Sequence, residues 1–249
     1  MKLDNVLVVS TNKVIYSDGD MVYKVFDENY SKSDVLNEAL NHARVEETGL
    51  NIPKIHEVGK VGDKWFIQMD YIQGKTLAQL MEENPDKKKE YIDLLVDLQL
   101  EVIGKKSPLL KKLKDKMKTK IDQTDLDATT RYELHERLEG MPKHNKVCHG
   151  DFHPSNVIIR PDGSPCIIDW AHVTQGNASA DAARTFLLFS LEGKTELANK
   201  YLNLFCKKSD TARQYVQKWT PIVAASQSVK GNADEFAMLK RWVNVVDYE

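Results

Sequence analysis

Short runs in which apolar and polar residues alternate occupy the first part of the chain, and they predict an antiparallel sheet. Each run is rich in β-branched or aromatic residues and is bounded by turn-forming residues such as Gly, Asn or Asp, which is typical of strands in hairpins. Five runs share this pattern: residues 6–9, 13–16, 21–26, 55–60 and 64–69. The pattern therefore predicts a sheet-rich region over about residues 1–72.

Apolar residues recur at helical spacing between the third and fourth runs, from Ser33 to Glu47, and again over most of the chain after residue 73. Thr76 and Gln79 have the spacing of a capping box, which predicts a helix start. The last segment, residues 195–249, predicts three or four helices. A sheet followed by helices places the chain in the α+β class.

Composition narrows the range of functions. The chain has 249 residues, of which 41% are hydrophobic and 29% charged, enough for one large domain or two lobes. A net charge of -2 gives no reason to expect nucleic acid or a membrane surface as a partner. Three cysteines without paired spacing, and no apolar run of secretory or membrane-spanning length, predict a cytoplasmic protein.

Residue types that suit phosphoryl transfer are concentrated between His149 and Asp169. Asp151 follows His149 by two residues, Asn156 lies five residues further on, and an apolar run ends at Asp169. Transfer of a phosphoryl group to a hydroxyl needs a carboxylate that accepts the hydroxyl proton and ligands for Mg²⁺. Asp151 suits the first role, and the oxygens of Asn156 and Asp169 suit the second.

A predicted hairpin explains how the two metal-ligand candidates meet. Residues 157–159 and 166–168 are apolar and flank the turn sequence Pro161-Asp162-Gly163-Ser164. Pairing of these strands would bring Asp169 back beside Asn156. His149 is expected to brace the loop rather than to react.

Other interpretations of these residues remain open at this stage. Asp, Pro, Ser and Asn are ordinary turn residues, so the spacing from Asp151 to Asn156 is weak evidence when taken alone. Cys148, His149, Asp151 and His153 could suggest a metal cluster, but no second Cys or His pair completes a tetrahedral set. Gly-Lys-Thr triplets begin at residues 74 and 193 without the upstream glycine that a P-loop needs.

The motif from His149 to Asn156, followed by the isoleucine-rich strand into Asp169-Trp170, resembles the aminoglycoside phosphotransferase and choline kinase family. The resemblance implies a two-lobed, protein-kinase-like fold: an antiparallel-sheet nucleotide-binding lobe over residues 1–72 and a mostly helical lobe over residues 73–249. It implies that Asp151 is the catalytic base, that Asn156 and Asp169 bind Mg²⁺, and that ATP or GTP is the co-substrate. The acceptor would be a hydroxyl group of a small molecule.

The resemblance also points to Lys24 and Glu38. In kinases a strand lysine, oriented by a helix glutamate, binds the α- and β-phosphates. The ordinary interpretations are a solubilising strand lysine and a solvated helix face. Glu46 and Glu47, on the same predicted helix, are alternatives to Glu38.

The remaining nucleotide-binding candidates also follow from the resemblance. Where protein kinases have a glycine-rich loop, this chain has Ser10-Thr11-Asn12-Lys13, so Ser10, Thr11 and Asn12 are the candidate phosphate contacts. Without those glycines, the sequence does not decide between ATP and GTP. The family's hinge falls on Asp70 and Ile72, whose backbone would recognise the base, with Met69 at its inner edge.

A lysine-rich segment, residues 105–120, contains eight lysines and one aspartate. Its apolar positions are Leu109, Leu110, Leu113 and Met117, which continue to Ile121 and predict a basic amphipathic helix. A solvated face is the favoured interpretation, and a membrane or acidic partner is the alternative. The segment lies where the family forms its acceptor site, and its charge fits poorly with a polycationic substrate.

Two other functions remain as alternatives. The missing glycines allow a nucleotide-binding regulatory module without turnover, similar to a pseudokinase. A protein kinase is disfavoured, because the chain lacks the Ala-Pro-Glu motif and the long activation segment that holds a peptide. Neither the acceptor nor the oligomeric state can be deduced from the sequence.

Overall fold

The computed structural model describes residues 3–243 and divides the chain into two compact units. The sheet unit comprises Met1–Pro85 and Pro154–His172, and the helical unit comprises Asp86–His153 and Val173–Glu249. Residues 1, 2 and 244–249, which the predicted lobes include, lie outside the described residues. The nucleotide-binding and acceptor-binding lobes with a boundary at residue 72 stay a prediction.

The order of elements confirms the α+β class. The strands are β1 (Asn5–Ser10), β2 (Lys13–Asp18), β3 (Met21–Phe26), β4 (Ile55–Val61), β5 (Lys64–Asp70), β6 (Lys75–Thr76), β7 (Lys146–Cys148), β8 (Val157–Ile159), β9 (Pro165–Ile167) and β10 (Thr174–Gly176). The helices are α1 (Lys32–Glu46), α2 (Leu77–Glu83), α3 (Lys88–Gly104), α4 (Leu113–Asp122), α5 (Ala128–Gly140), α6 (Ala178–Leu191), α7 (Thr195–Ser209), α8 (Arg213–Gln217), α9 (Thr220–Ser228) and α10 (Ala233–Val243).

The sheet unit is built on an antiparallel sheet with the strand order β1-β2-β3-β5-β4. Helix α1 connects β3 to β4 and begins at the N-cap Ser31, whose side chain accepts a hydrogen bond from the amide of Asp34. The helix buries Val35 and Ala39 against the sheet residues Phe26 and Ile67. This apolar contact sets the position of α1 relative to β3.

The predicted hairpin is present as β8 and β9, and it belongs to the sheet unit. The two strands pair antiparallel, and β8 pairs with β6 on its other side. Asn51 ties the hairpin to the rest of the unit, because its carbonyl accepts from the amide of Ile167 at 3.0 Å and its side chain donates to the carbonyl of Pro165 at 2.6 Å. The predicted capping box of Thr76 and Gln79 starts α2.

Helix α6 lies at the centre of the helical unit. Nearly all its side chains are buried, and small residues such as Ala182 and Ala183 let it pack against both α7 and α9. Asn177 caps its N-terminus by accepting from the amide of Ser179 at 3.0 Å. Strands β7 and β10 form a short antiparallel pair in the same unit. Helices α4 and α9 pack on each other.

The lysine-rich segment is helical only in its second half. Helix α4 begins at Leu113, and the preceding residues include Pro108, which removes a backbone donor. Met117 and Ile121 are buried as predicted, but Leu109 is 67% exposed, so its place in the apolar stripe was predicted wrongly. A helix that starts at Leu113 cannot include Leu109 in its packed face.

Two expectations from composition can be compared with the structure. Cys148, Cys166 and Cys206 are free thiols. Between residues 3 and 243, no helix combines the length and apolar character needed to span a lipid bilayer. The cytoplasmic location stays a prediction.

The close approach of β10 to α4 gives a prediction for stability. A Cβ atom added at Gly176 would lie 2.4 Å from Cβ of Leu113, so Gly176→Ala should destabilise the protein by about 1–3 kcal/mol through overpacking. Gly140→Ala is the control, because a Cβ atom added there would meet nothing within 4 Å and alanine favours the helix. Urea denaturation measures both, and equal free energies of unfolding for the two variants would contradict this packing.

Candidate active site

Lys24 is the centre of an ionic cluster in the sheet unit. It lies in β3, where it pairs with Ile15 on β2 and Ile67 on β5, and only 4% of the residue is exposed. Its Nζ donates to Oε1 of Glu38, which projects from α1, and to Oδ1 of Asp169 at 2.8 Å. The structure therefore brings three of the predicted residues together.

A second lysine contacts the same aspartate. Nζ of Lys13, at the start of β2, lies 3.3 Å from Oδ2 of Asp169, so the two carboxylate oxygens of Asp169 face different lysines. Burial lowers the pKa of Lys13, and the neighbouring charge of Lys24 lowers it further. Burial also opposes the charge of Lys24, but the carboxylates of Asp169 and Glu38 outweigh it and raise the pKa of Lys24.

Asn156 and Asp169 lie at the two ends of the β8–β9 hairpin. The amide of Ile168 donates to the carbonyl of Asn156 at 2.9 Å, which holds the two ends together. Asp169 has φ of 60°, a left-handed conformation that aspartate tolerates better than most residues. Its side chain is 32% exposed, whereas Asn156 is buried.

This donor set fits Mg²⁺ better than a metal that needs a complete protein cage. One carboxylate and one amide oxygen are hard ligands, and Mg²⁺ accepts few protein ligands when phosphates and water supply the others. Across residues 3–243, no group of three or more His, Cys, Asp or Glu side chains is arranged to hold a metal. Burial also raises the pKa of the Cys148 thiol, which disfavours the thiolate that the alternative metal cluster would need.

The other predicted nucleotide contacts are also in the sheet unit. Ser10 ends β1, and Thr11 and Asn12 form the turn into β2. Met69 and Asp70 end β5, and Ile72 follows. The amide of Asp70 donates to the carbonyl of Lys54 at 3.0 Å, and its side chain accepts from His56 at 2.6 Å and from the amide of Lys54. Their roles in nucleotide binding stay predictions.

Asp151 lies in the helical unit beside a buried arginine. Nη2 of Arg184 lies 3.1 Å from Oδ1 of Asp151, and Nε2 of His153 lies 3.5 Å from Oδ2. Burial opposes the charge of Asp151, but the hydrogen bond from His153 and the charge of Arg184 hold its pKa well below the usual value for aspartate. The side chain keeps about 20% of its area exposed, so a ligand can reach it.

Helix α6 holds the loop that carries Asp151. Oδ1 of Asp181 accepts from the amide of Gly150 at 2.7 Å, and Arg184 donates to the carbonyl of the same glycine. The hydroxyl of Thr185 donates to the carbonyl of Phe152 at 2.7 Å. His149 is fully buried with its ring edge-on to Phe152, which is consistent with a bracing role.

Lys116 and Lys230 interact electrostatically with Arg184 and Asp151 within the helical unit. Lys116 on α4 is half-buried, and burial together with the charges of Arg184 and Lys120 lowers its pKa to about 7. Asp151 and Asp181 act in the opposite direction. Burial and the charge of Arg184 also lower the pKa of Lys230, which follows α9.

Sequence reasoning missed Lys13 and Arg184 as site residues. A signal was present for both. Lys13 belongs to the same four-residue turn as the three predicted phosphate contacts, and Arg184 follows Asp181 by three residues, which places both on one helix face. What the local pattern could not provide was their partners, since Asp169 is 156 residues from Lys13.

Several solved structures share the fold. They include a thermostable mutant of the aminoglycoside phosphotransferase APH(4)-Ia in ternary complex with AMP-PNP and hygromycin B, with 17% identity and a TM-score of 0.68 over 95% of this chain and 90% of that chain. A choline/ethanolamine kinase family protein from Mesorhizobium loti has 14% identity and a TM-score of 0.65 over 96% and 88%. The choline kinase LicA from Streptococcus pneumoniae has 16% identity and a TM-score of 0.60 over 99% and 89%.

At these identities the likeness shows the fold, which is protein-kinase-like as the sequence predicted. A comparison with curated proteins gave no match. A family model does match, over residues 7–217, and its description is the phosphotransferase enzyme family, APH. Because that match covers most of the sequence, the chain belongs to the phosphotransferase enzyme family.

Proposed function

We propose that the protein is a small-molecule kinase that transfers the γ-phosphoryl group of ATP or GTP to a hydroxyl group of a small acceptor. The observation that carries this proposal is the ionic cluster of Lys24, Glu38 and Asp169, since a strand lysine held by a helix glutamate is how kinases bind nucleotide phosphates. Family membership supports it, and so does the solved relative in fold that contains AMP-PNP and hygromycin B.

Lys24 would bind the α- and β-phosphates while Glu38 fixes its orientation. Ser10, Thr11 and Asn12 would contact the phosphates from the β1–β2 turn, and the backbone of Asp70 and Ile72 would recognise the base beside Met69. Lys13 adds a positive charge to a turn that lacks glycine. A lysine there offers the nucleotide a point charge where a glycine-rich loop would offer backbone amides.

Asn156 and Asp169 would hold Mg²⁺, which neutralises charge on the nucleotide phosphates when it is bound. Lys13 and Lys24 stabilise the charge of Asp169, and their ammonium groups would lie beside the phosphate oxygens of a bound nucleotide.

Asp151 would orient the acceptor hydroxyl. During transfer, the bond from the γ-phosphorus to the β–γ bridging oxygen breaks, the acceptor oxygen bonds to phosphorus, and the hydroxyl proton passes to Asp151. Because Arg184 and His153 hold the pKa of Asp151 low, this carboxylate is a weak base. Its main contribution is therefore positioning, which suits a loose transition state in which the proton moves late.

The chain after Asp169 argues against a peptide acceptor. Strand β10 begins at Thr174 and helix α6 at Ala178, so no long segment is inserted there that could hold a protein substrate. A small acceptor needs no such platform.

A first prediction separates chemistry from nucleotide binding. Asp151→Asn should lower kcat by about 10²–10⁴-fold because it removes the carboxylate that orients the acceptor hydroxyl and takes up its proton, while the Kd for Mg-nucleotide stays within about twofold. Asp169→Asn should abolish Mg²⁺-dependent nucleotide binding. Asparagine tolerates the left-handed backbone at this position. Coupled assays with ATP and GTP over a panel of hydroxyl compounds, together with calorimetry with and without Mg²⁺, measure both.

The control for these variants is Asp125→Asn, which changes an exposed carboxylate in the helical unit. Nucleotide binding without turnover of any compound would favour the regulatory module over the kinase. Failure of the wild-type protein to bind Mg-nucleotide would refute the proposed function.

A second prediction concerns Lys13. Lys13→Gln should raise the Kd for Mg-nucleotide by about tenfold or more, since it removes a charge-assisted contact to phosphate, and Lys13→Arg should retain most of the affinity. Lys64→Gln is the control, because Lys64 is an exposed lysine of the same sheet whose carboxylate partner, Glu28, lies 3.9 Å away. Calorimetry with ATP and with GTP gives the affinities, and equal Kd values for Lys13→Gln and Lys64→Gln would exclude this role.

A further inference from the structure

A cavity of about 520 Å³ opens between α3 and α7 in the helical unit, and it is called the α3–α7 groove below. Its volume falls within the range of pockets that bind small molecules, which often lie between packed helices. Ile92 on α3 and Leu197 and Leu204 on α7 form its apolar wall. None of the described residues that line the groove is a candidate for catalysis or for nucleotide or metal binding, so the proposed kinase function gives it no role.

Contacts between α3 and α7 fix the shape of the groove. The buried hydroxyl of Tyr201 donates to Oε1 of Gln99, which joins the two helices in the interior. At the surface, Nζ of Lys208 on α7 lies 3.0 Å from Asp93 and 2.7 Å from Asp97 on α3. The groove is therefore formed before any ligand binds, which reduces the entropic cost of binding.

The apolar side chains of the groove are recessed. Ile92 is 4% exposed, and Leu197 and Leu204 are half-buried. In the described part of the chain, the large apolar side chains that are exposed lie on other elements, and none belongs to α3 or α7. A ligand must therefore enter the groove to reach this surface, whereas insertion into a bilayer requires apolar side chains that protrude.

Four lysines line the groove, two at the start of α3 and two on α7, and they form its lysine rim: Lys88, Lys89, Lys200 and Lys207. All four are exposed, and within residues 3–243 none of them forms an ion pair. Asp93, the one carboxylate among the described lining residues, is paired with Lys208. The rim therefore has an excess of positive charge.

The remaining polar residue of the groove adds another donor. The side-chain oxygen of Asn203 accepts from Nη1 of Arg213, so its NH₂ group is the part that can serve a ligand. The ammonium groups of the lysine rim are donors only. A ligand with an apolar body and a negatively charged acceptor group matches this combination.

The spacing on α7 gives the length of the apolar part of that ligand. Leu197 and Leu204 are seven residues apart, which is about two turns, or about 10 Å, along the helix axis. An extended alkyl chain of about eight bonds has that length. Lys200 and Lys207 each follow one of these leucines by three residues, so lysines and leucines share one helix face.

A small molecule fits the groove better than a protein partner does. A stable protein–protein interface buries about 800 Å² on each partner and is centred on large aromatic or arginine anchors. The α3–α7 groove offers only three recessed aliphatic side chains, Ile92, Leu197 and Leu204, bordered by lysines.

We propose that the α3–α7 groove binds a medium-chain aliphatic carboxylate, with its alkyl chain against Ile92, Leu197 and Leu204 and its carboxylate on the lysine rim. The methylene stems of the lysines extend the apolar contact, while their ammonium groups bind the carboxylate oxygens. This inference is independent of the proposed kinase function, because such binding needs neither nucleotide nor metal.

Calorimetric titration with octanoate, butanoate, octanol and octyltrimethylammonium at constant ionic strength tests the inference. Octanoate should bind at one site with a Kd about tenfold or more below that of octanol, the effect of one charge-assisted contact. Butanoate, which is four methylenes shorter, should bind about a hundredfold more weakly than octanoate. Failure of octanoate to bind, or an equal Kd for octanoate and octanol, would overturn the inference.

Lysine variants locate the carboxylate. The double variant Lys200→Gln, Lys207→Gln should raise the Kd for octanoate about tenfold or more and leave the Kd for octanol within about twofold. Both side chains are exposed, so the variant should keep the wild-type stability, which urea denaturation checks. The control is Lys111→Gln, Lys118→Gln, which removes two exposed lysines at α4 and should change neither Kd. Equal octanoate affinities of the two double variants would refute the role of the rim.

Two further measurements test other occupants of the groove. We expect the protein not to sediment with vesicles of phosphatidylcholine and phosphatidylglycerol, and we expect Leu204→Ser to weaken binding of octanoate and octanol without changing the oligomeric state. Vesicle binding that the variant Lys200→Gln, Lys207→Gln abolishes would assign the groove to a membrane surface. A dimer that Leu204→Ser dissociates would assign it to a second copy of the chain. Either result would overturn the inference.

Discussion

A buried ammonium group must be paired, and the pairing of Lys24 is the constraint on which the sheet unit depends. Its two carboxylate partners come from different elements, Glu38 from α1 and Asp169 from the end of the β8–β9 hairpin. An unpaired charge at this depth would cost several kcal/mol. The same contacts that make Lys24 tolerable thus bind the sheet, the helix and the hairpin, and they place the proposed phosphate-binding and metal-binding groups side by side.

Arg184 has the corresponding part in the helical unit. It contacts the carboxylate of Asp151, the carbonyl of Gly150 and the side chain of Gln227, so one guanidinium joins the loop to α6 and α9. Its planar set of donors can make these contacts at once, which a lysine could not do. The consequence is an aspartate that is held in place and kept ionised, but that is only weakly basic.

Both units therefore use cations where the proposed reaction has anions. In the sheet unit, Lys13 and Lys24 contact one aspartate and would face the phosphates of a bound nucleotide. In the helical unit, burial and the charges of Arg184 and Lys120 lower the pKa of Lys116.

The sequence by itself determined the elements and the chemistry that local spacing encodes. Alternation located the five strands of the large sheet to within two residues but missed the short strands β6, β7 and β10, and the interval from Asp151 to Asn156 with the strand into Asp169 identified the family. Tertiary structure alone decided which charges meet. The contact of Lys13 with Asp169 joins residues that are far apart in sequence, and the contact of Lys24 with Glu38 joins a strand to a helix. Charge pairing depends on distance in space, which a one-dimensional pattern does not contain.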